Sequence, residues 1–178
     1  MFSDPTRLLD ALTNAIVERT AIDRILNLGP GLEDPIEEVL ALFPSAALRA
    51  VDQDVDVCRR LQDQFRANNR VRISHAEASD ALTEADATYD LIILRHPNIS
   101  ENKTSWFGAL RLVPQALKAE GHFVVTLYDL AELDLLQEAT AHSPLREKPG
   151  APYTQVPIAL RGQDRYIQIY VTLKDADE

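Results

Sequence analysis

Three places in this chain carry residues able to do chemistry. The first is Asn27-Leu-Gly-Pro-Gly-Leu-Glu33, which continues the apolar residues Ile25 and Leu26 through Leu28 into a glycine bend. Gly29 and Gly31 let the backbone bend sharply there and leave it bare enough for a ligand to approach. The second is Asp52, which closes the apolar run Ala46–Val51. A carboxylate at such a strand end can accept hydrogen bonds from both hydroxyls of a ribose. The third is Arg95-His96-Pro97-Asn98, which closes Tyr89-Asp-Leu-Ile-Ile-Leu94. His96 is a candidate base near neutrality, and Arg95 or Asn98 can orient an acceptor's carboxylate or carbonyl. Each also has a plainer reading: an ordinary connection that happens to carry two glycines, a turn or capping aspartate, and a Pro97-fixed loop in which His96 packs.

The elements that must position these residues follow from periodicity. Leu8, Leu9, Leu12, Ile16 and Val17 recur at helical spacing, predicting an amphipathic helix over Pro5 to Thr20. Arg24–Leu28 reads as a first strand, followed by a helix over Asp34–Phe43. In that helix Asp34 suits the N-cap, Pro35 the first position and Glu37 a capping box. Ala46–Val51 reads as a strand, Val55 to Asn68 as a helix and Val71–Ser74 as a strand, while Ala76 to Thr88 holds one or two helical turns. Tyr89-Asp-Leu-Ile-Ile-Leu94 reads as an apolar run around one acid, as expected of a central strand covered on both faces. Lys103–Ala119 reads as a helix with Trp106, Leu110, Val113 and Leu117 facing in, Gly121–Tyr128 as a fifth strand and Leu130–Ala141 as a helix. Ser143–Tyr153, with three prolines and a glycine, reads as a loop. Gln155–Leu160 and Tyr166–Leu173 alternate around Arg161–Asp164 as a hairpin. Strands alternating with helices predict a three-layer αβα sandwich whose mostly parallel sheet has seven strands, one of them antiparallel and supplied by the terminal hairpin. In such a sheet, ligands bind beyond the carboxyl ends of the strands, where the three sites fall.

The charges around the glycine bend narrow the ligand. A dinucleotide would rest its pyrophosphate on the helix start after Gly31. That start carries Glu33, Asp34, Glu37 and Glu38, and the third glycine of G-x-G-x-x-G would fall at Asp34. Those carboxylates satisfy the helix macrodipole and repel phosphate. A phosphate-free adenosine ligand with a cationic centre suits the site better, and S-adenosylmethionine is one.

The 178 residues are enough for one domain with one core, with 1–21 as an N-terminal helical segment and 174–178 as a frayed acidic tail. No apolar run approaches a membrane span, and Met1–Asp10 lacks the pattern of a signal peptide. A lone Cys58, read as packing, fits a cytoplasmic protein. A net charge of −10 argues against nucleic acid as a partner. The local run Arg59, Arg60, Arg66, Arg70 and Arg72 reads as a solvated helix face and exit loop, with a phosphate patch as the alternative. His75, His122 and His142 are too dispersed for a metal site.

From about Ile22 to Leu173 the chain resembles the class I S-adenosylmethionine-dependent methyltransferases. Asn27-Leu-Gly-Pro-Gly-Leu-Glu33 resembles the first motif of that family, Asp-Leu-Gly-x-Gly-x-Gly, and Ala50-Val-Asp52 its ribose-holding second motif. Tyr89–Leu94 resembles the strand leading to the methyl-transfer site. The resemblance implies that Asn27, Leu28, Gly29, Pro30, Gly31, Asp52, Gln53, Ala76, Glu77 and Arg95 hold S-adenosylmethionine. It puts Arg95, His96 and Asn98 beside the activated methyl, with a small molecule or a protein as acceptor. Three positions depart from the pattern. Asn27 replaces the acid that helps hold the methionine ammonium, Glu33 replaces the last glycine, and Ala76 stands where an Asp often meets the adenine amino group, with Glu77 next to it. Two other functions stay open on this basis: a methyltransferase-like module that catalyses nothing, for which the three departures speak, and an NAD-dependent oxidoreductase, for which Asp52 speaks.

Overall fold

A computed structural model describes residues 6–148, 164 and 166–172. Helix α1 (Thr6–Ala15) and a short 3-10 turn (Arg19–Ala21) lead into β1 (Arg24–Leu28). Then follow α2 (Ile36–Leu42), β2 (Ala47–Asp52), α3 (Val55–Gln64), β3 (Val71–His75), α4 (Ala78–Thr83) and β4 (Tyr89–Arg95). The chain continues through α5 (Lys103–Ala116), β5 (Leu117–Leu127), α6 (Leu130–Thr140), β6 (Leu145–Glu147) and β7 (Tyr166–Thr172). The seven strands form one sheet in the order β3-β2-β1-β4-β5-β7-β6. The pairs from β3 to β5 are parallel, and β7 runs antiparallel to both β5 and β6.

The sheet is the expected one, but its last pairing is made differently. The residues expected as the first arm of the hairpin, Gln155–Leu160, lie outside those described, as does the acidic tail. The partner of β7 is Leu145–Glu147, in the segment read as a loop. Three residues beside Pro144 are too few to display a period of two, and an edge strand tolerates a neighbouring proline.

Side-chain alternation along the strands builds the layers. Leu26, Leu28, Ile92, Leu94, Phe123 and Val125 pack with Leu82 of α4, Leu110 of α5 and Leu136 of α6. Their neighbours Ile25, Leu91, Ile93 and Val124 point the other way, onto Leu12 of α1, Val39 of α2 and Leu61 of α3. Strand β4 is therefore covered on both faces, as its apolar run predicts. Its polar exception, Asp90, accepts from the backbone N–H groups of Asp23 and Arg24 at 3.0 and 2.9 Å and so pins the start of β1.

Two other polar features resolve into packing. Cys58 is buried on α3. In the arginine run, Arg59 pairs with Asp56 on the exposed face of α3, and Arg66, in the turn after it, with Asp63. Arg70 instead donates to the carbonyls of Leu40, Phe43 and Ala46, satisfying the C-terminal end of α2 and the turn after it. Among the described residues, no helix is long and apolar enough to cross a membrane.

One packing feature sets a pH dependence. His122 of β5 is partly buried, and its Nε2 lies 3.3 Å from Lys148 Nζ. Burial, then the charge of Lys148, pushes its pKa from 6.5 down to about 4. Between those values the unfolded chain binds a proton that the native state refuses. The contribution of His122 is therefore fully present above 6.5 and falls away as pH drops toward 4. The full shift would correspond to about 3 kcal/mol, which solvent screening reduces to about 1–2 kcal/mol. Urea unfolding across this window should show that loss in the native protein and a flatter profile in His122→Gln.

Candidate functional site

The sheet order reverses between β1 and β4, and a crevice opens beyond their carboxyl ends, the usual position of ligands in open α/β sheets. The bend after β1 forms one wall. Gly29 and Gly31 have φ of +62° and +63°, and a Cβ added to either would meet nothing within 4 Å. The glycines are therefore required by the left-handed backbone, and the bare bend borders open space. Gly31→Ala is expected to cost about 1 kcal/mol in thermal or urea unfolding, from the left-handed φ alone.

Asp52 ties this bend to β2. Its Oδ2 accepts from Gly31 N at 3.4 Å and its Oδ1 from Asp54 N at 2.8 Å. Asp54 in turn caps α3, accepting from Asp56 N and Val57 N. The Asp52 carboxylate thus stands beside the bend, half-buried, on the crevice wall and outside the apolar interior. Next to it the Gln53 amide, with its nitrogen turned inward, donates to both oxygens of Glu77 at 3.2 Å.

The expected cap of α2 is not formed. The helix begins at Ile36, no side chain caps it, and Glu37 is exposed without closing a capping box. Asp34 turns inward instead, its side chain 1% exposed, accepting from Asn27 Nδ2 and from Arg95 Nη1, the latter at 2.7 Å. A charge-assisted bond to a buried guanidinium outcompetes two helix N–H groups that water can serve.

Arg95 is the hub of this buried polar cluster. Leu91 and Ile93 face α1–α3 and Arg95 continues that alternation, so its side chain descends toward Asp34. Its Nε and Nη2 also donate to Asp164, with Nη2 3.2 Å from Oδ1. The Asp164 carboxylate is fully buried and lies 3.0 Å from His96 Nε2, while its backbone carbonyl accepts from Arg7 of α1 at 2.7 Å. Burial raises the Asp34 carboxyl above its ordinary range despite Arg95 and Asn27. Burial acts on Asp164 in the same sense, but His96, Arg95 and Thr126 outweigh it and hold that carboxyl below. Burial would also weaken the protonation of Arg95, and the two carboxylates more than restore it. The His96 ring stacks on Tyr128, with centroids 3.8 Å apart. His96 and Asn98 both hold positive φ, +48° and +49°. Such backbone is costly for residues with a Cβ and concentrates at functional sites.

The crevice encloses about 480 Å³. Of the residues expected to bind or react, Gly29, Asp52, Gln53, Ala76, Glu77, Arg95, His96 and Asn98 line it together. Gly31 reaches it through its bond to Asp52. Asn27, Leu28 and Pro30 do not line it. Asn27 and Leu28 lie in the sheet interior and Pro30 is buried. The structure adds Ser79, Asn102, Ser105 and Trp106 on the wall, and Asp34 and Asp164 beneath it. Trp106 was legible only as an inward residue of α5, and Asp164 only as part of a turn. A second hollow, about 610 Å³ and lined by Ile16, His122 and Lys148 among others, lies toward the opposite end of the sheet.

No protein-family model matches the chain, and no curated protein matches it. Solved structures do. An N-methyltransferase, NodS, from Bradyrhizobium japonicum aligns over 95% of this chain and 96% of its own, at 13% identity and a TM-score of 0.69. A SAM-dependent O-methyltransferase from Thermotoga maritima aligns over 97% and 66%, at 17% identity and a TM-score of 0.65. The cyclase SpnF aligns over 80% and 58%, at 17% identity and a TM-score of 0.66. The chain therefore has the class I S-adenosylmethionine-dependent methyltransferase-like, Rossmann-type fold. At these identities the likeness extends to the fold alone, and a cyclase shares it.

Proposed function

We propose that the crevice binds S-adenosylmethionine and that the protein is a methyltransferase acting on a small-molecule or protein acceptor. The observation that carries this reading is the Asp52 carboxylate standing on the crevice wall beside the left-handed glycine bend. In this reading Asp52 accepts from the ribose hydroxyls, while Gln53, Ala76 and Glu77 flank the base, Glu77 taking its amino group. For the cationic end the wall offers no equivalent acid: Asn27 is buried against Asp34 without lining the crevice, and Asp34 is committed to Arg95. The residues on the wall therefore fit the adenosine part of the group. When bound, S-adenosylmethionine supplies a methyl group activated by a sulfonium. The chain's own work is to hold the adenosine, align an acceptor along Asn98, Trp106 and His96, and keep water from the reacting centre.

A nicotinamide dinucleotide fits less well. Helix α2 has seven residues and carries Glu37 and Glu38 in its first turn, so it offers a pyrophosphate poor support. The non-catalytic reading is favoured by a separate observation: the side chains of Arg95 and His96 are engaged with buried acids. Titration calorimetry with S-adenosylhomocysteine and with NAD tests the ranking. Heat with the former alone is expected. Heat with NAD alone would reverse the assignment, and none with either would favour the non-catalytic module.

A further inference from the structure

We propose that Asp164 is a positioning residue for His96, the two forming a carboxylate–imidazole dyad that presents His96 Nδ1 to the crevice as a general base. The inference rests on the methyltransferase reading for its chemical meaning, but its geometry stands apart from any ligand. His96 Nε2 lies 3.0 Å from Asp164 Oδ1, and the imidazole is 12% exposed against 0% for the carboxylate. The contact is not yet aligned as a directed hydrogen bond, as is common before substrate binds. No other acceptor among the described residues meets Nε2, and Nδ1 has no partner among them, on a side chain that lines the crevice. An ionised carboxylate can only accept, so facing Nε2 it fixes the tautomer with the proton on Nε2. The lone pair is then on Nδ1.

Three further features hold this arrangement. Tyr128 stacks against the ring and limits its rotation. The backbone of His96 is kept at φ +48°, a strained conformation that directs the ring to Asp164. Arg95 fixes the carboxylate itself, donating to Asp164 from Nε and Nη2. In the step itself, an acceptor O–H or protonated amine gives its proton to Nδ1 and keeps the bonding pair on oxygen or nitrogen. The resulting imidazolium is opposed by Asp164. The acceptor class is therefore one that needs deprotonation before it can attack carbon.

The test needs no acceptor. Diethyl pyrocarbonate acylates the bare nitrogen of an imidazole, and peptide mass spectrometry reads its rate at His96 against that at His75, which is exposed. In Asp164→Asn the donors of Arg95 claim the amide oxygen, and the NH2 group then donates to Nε2. The proton moves to Nδ1, and the relative rate at His96 should fall at least about tenfold. A merely structural role predicts the reverse, because loosening the cluster opens His96 to the reagent. An unchanged or raised rate overturns the proposal. If that variant does not fold, long-range proton–nitrogen correlation spectra of the native protein in mildly alkaline buffer decide instead. A bare Nδ1 at His96 supports the dyad and a protonated Nδ1 overturns it. Calorimetry with S-adenosylhomocysteine on the same sample tests the cofactor reading alone, so either can fail while the other stands.

Discussion

Arg95→Met should destabilise the protein by about 3–5 kcal/mol near neutrality, the cost of leaving buried carboxylates without their cation. Total stabilities of about 5–15 kcal/mol put such a variant close to unfolding. The side chains of Arg95, Asp34 and Asp164 are 6%, 1% and 0% exposed, so water cannot take over the solvation of either acid. The loss should shrink on acidification. With Arg95 absent, the Asp34 carboxyl rises further above its unfolded value, the native state binds that proton, and its stability climbs as pH falls toward the raised value. The native protein behaves differently. Asp164 is held below its ordinary value there, so its contribution is present above 3.8 and is lost as pH falls through its lowered one. The contribution of Asp34, whose carboxyl is raised, runs the opposite way. Urea midpoints at about pH 7 and about pH 5 check this. Arg95→Lys should fall between the two, since it keeps the charge but loses the fork that spans both acids. A loss under about 1 kcal/mol for Arg95→Met would mean that the cluster contributes no more than an exposed ion pair.

The second large effect is expected at Asp52. Hydrogen bonds to a charged acceptor contribute about 1.5–3 kcal/mol each. Two of them, to a pair of vicinal hydroxyls, amount at the low end to about 3 kcal/mol, or roughly two orders of magnitude in Kd. Asp52→Ala should therefore weaken S-adenosylhomocysteine about 100-fold in calorimetry. Stability should change far less. The carboxylate is half-buried, its bond to Gly31 N is long at 3.4 Å, and only the 2.8 Å bond to Asp54 N is a strong internal contact. A cost of about 1 kcal/mol in unfolding is expected. Asp52→Asn keeps an acceptor without the charge and should lie between. Equal affinity in native protein and Asp52→Ala would remove Asp52 from the ribose and with it the main support for an adenosine ligand.

How far the residues speak for themselves differs between fold and site. Apolar alternation and runs such as Tyr89–Leu94 determine which segments are strands and which faces they bury, because burial acts on each side chain through its immediate neighbours in the chain. The glycine bend is equally legible. A left-handed φ is a property of single residues, and Gly29 and Gly31 adopt it with nothing crowding them. Asp52 is legible because a strand end at a sheet's carboxyl edge is a position, and topology alone delivers it to the bend.

The fates of Asp34, Arg95 and His96 were decided elsewhere. Asp34 has the residue type and place of a helix cap, yet it bonds an arginine 61 positions away. Arg95 reads as a ligand-facing strand end, and its guanidinium is held instead by an aspartate 69 positions on. Leu145–Glu147 became a strand only because β7 offered it an edge. Ion pairs and edge pairings between distant segments leave no period in the chain, since each partner is chosen by what the closed sheet brings within reach. The sequence by itself thus determined the layers, the bend and the carboxylate beside it. Tertiary structure alone decided that one buried guanidinium would join two acids beneath the crevice, because such a charge is tolerable only where folding has removed the competing water.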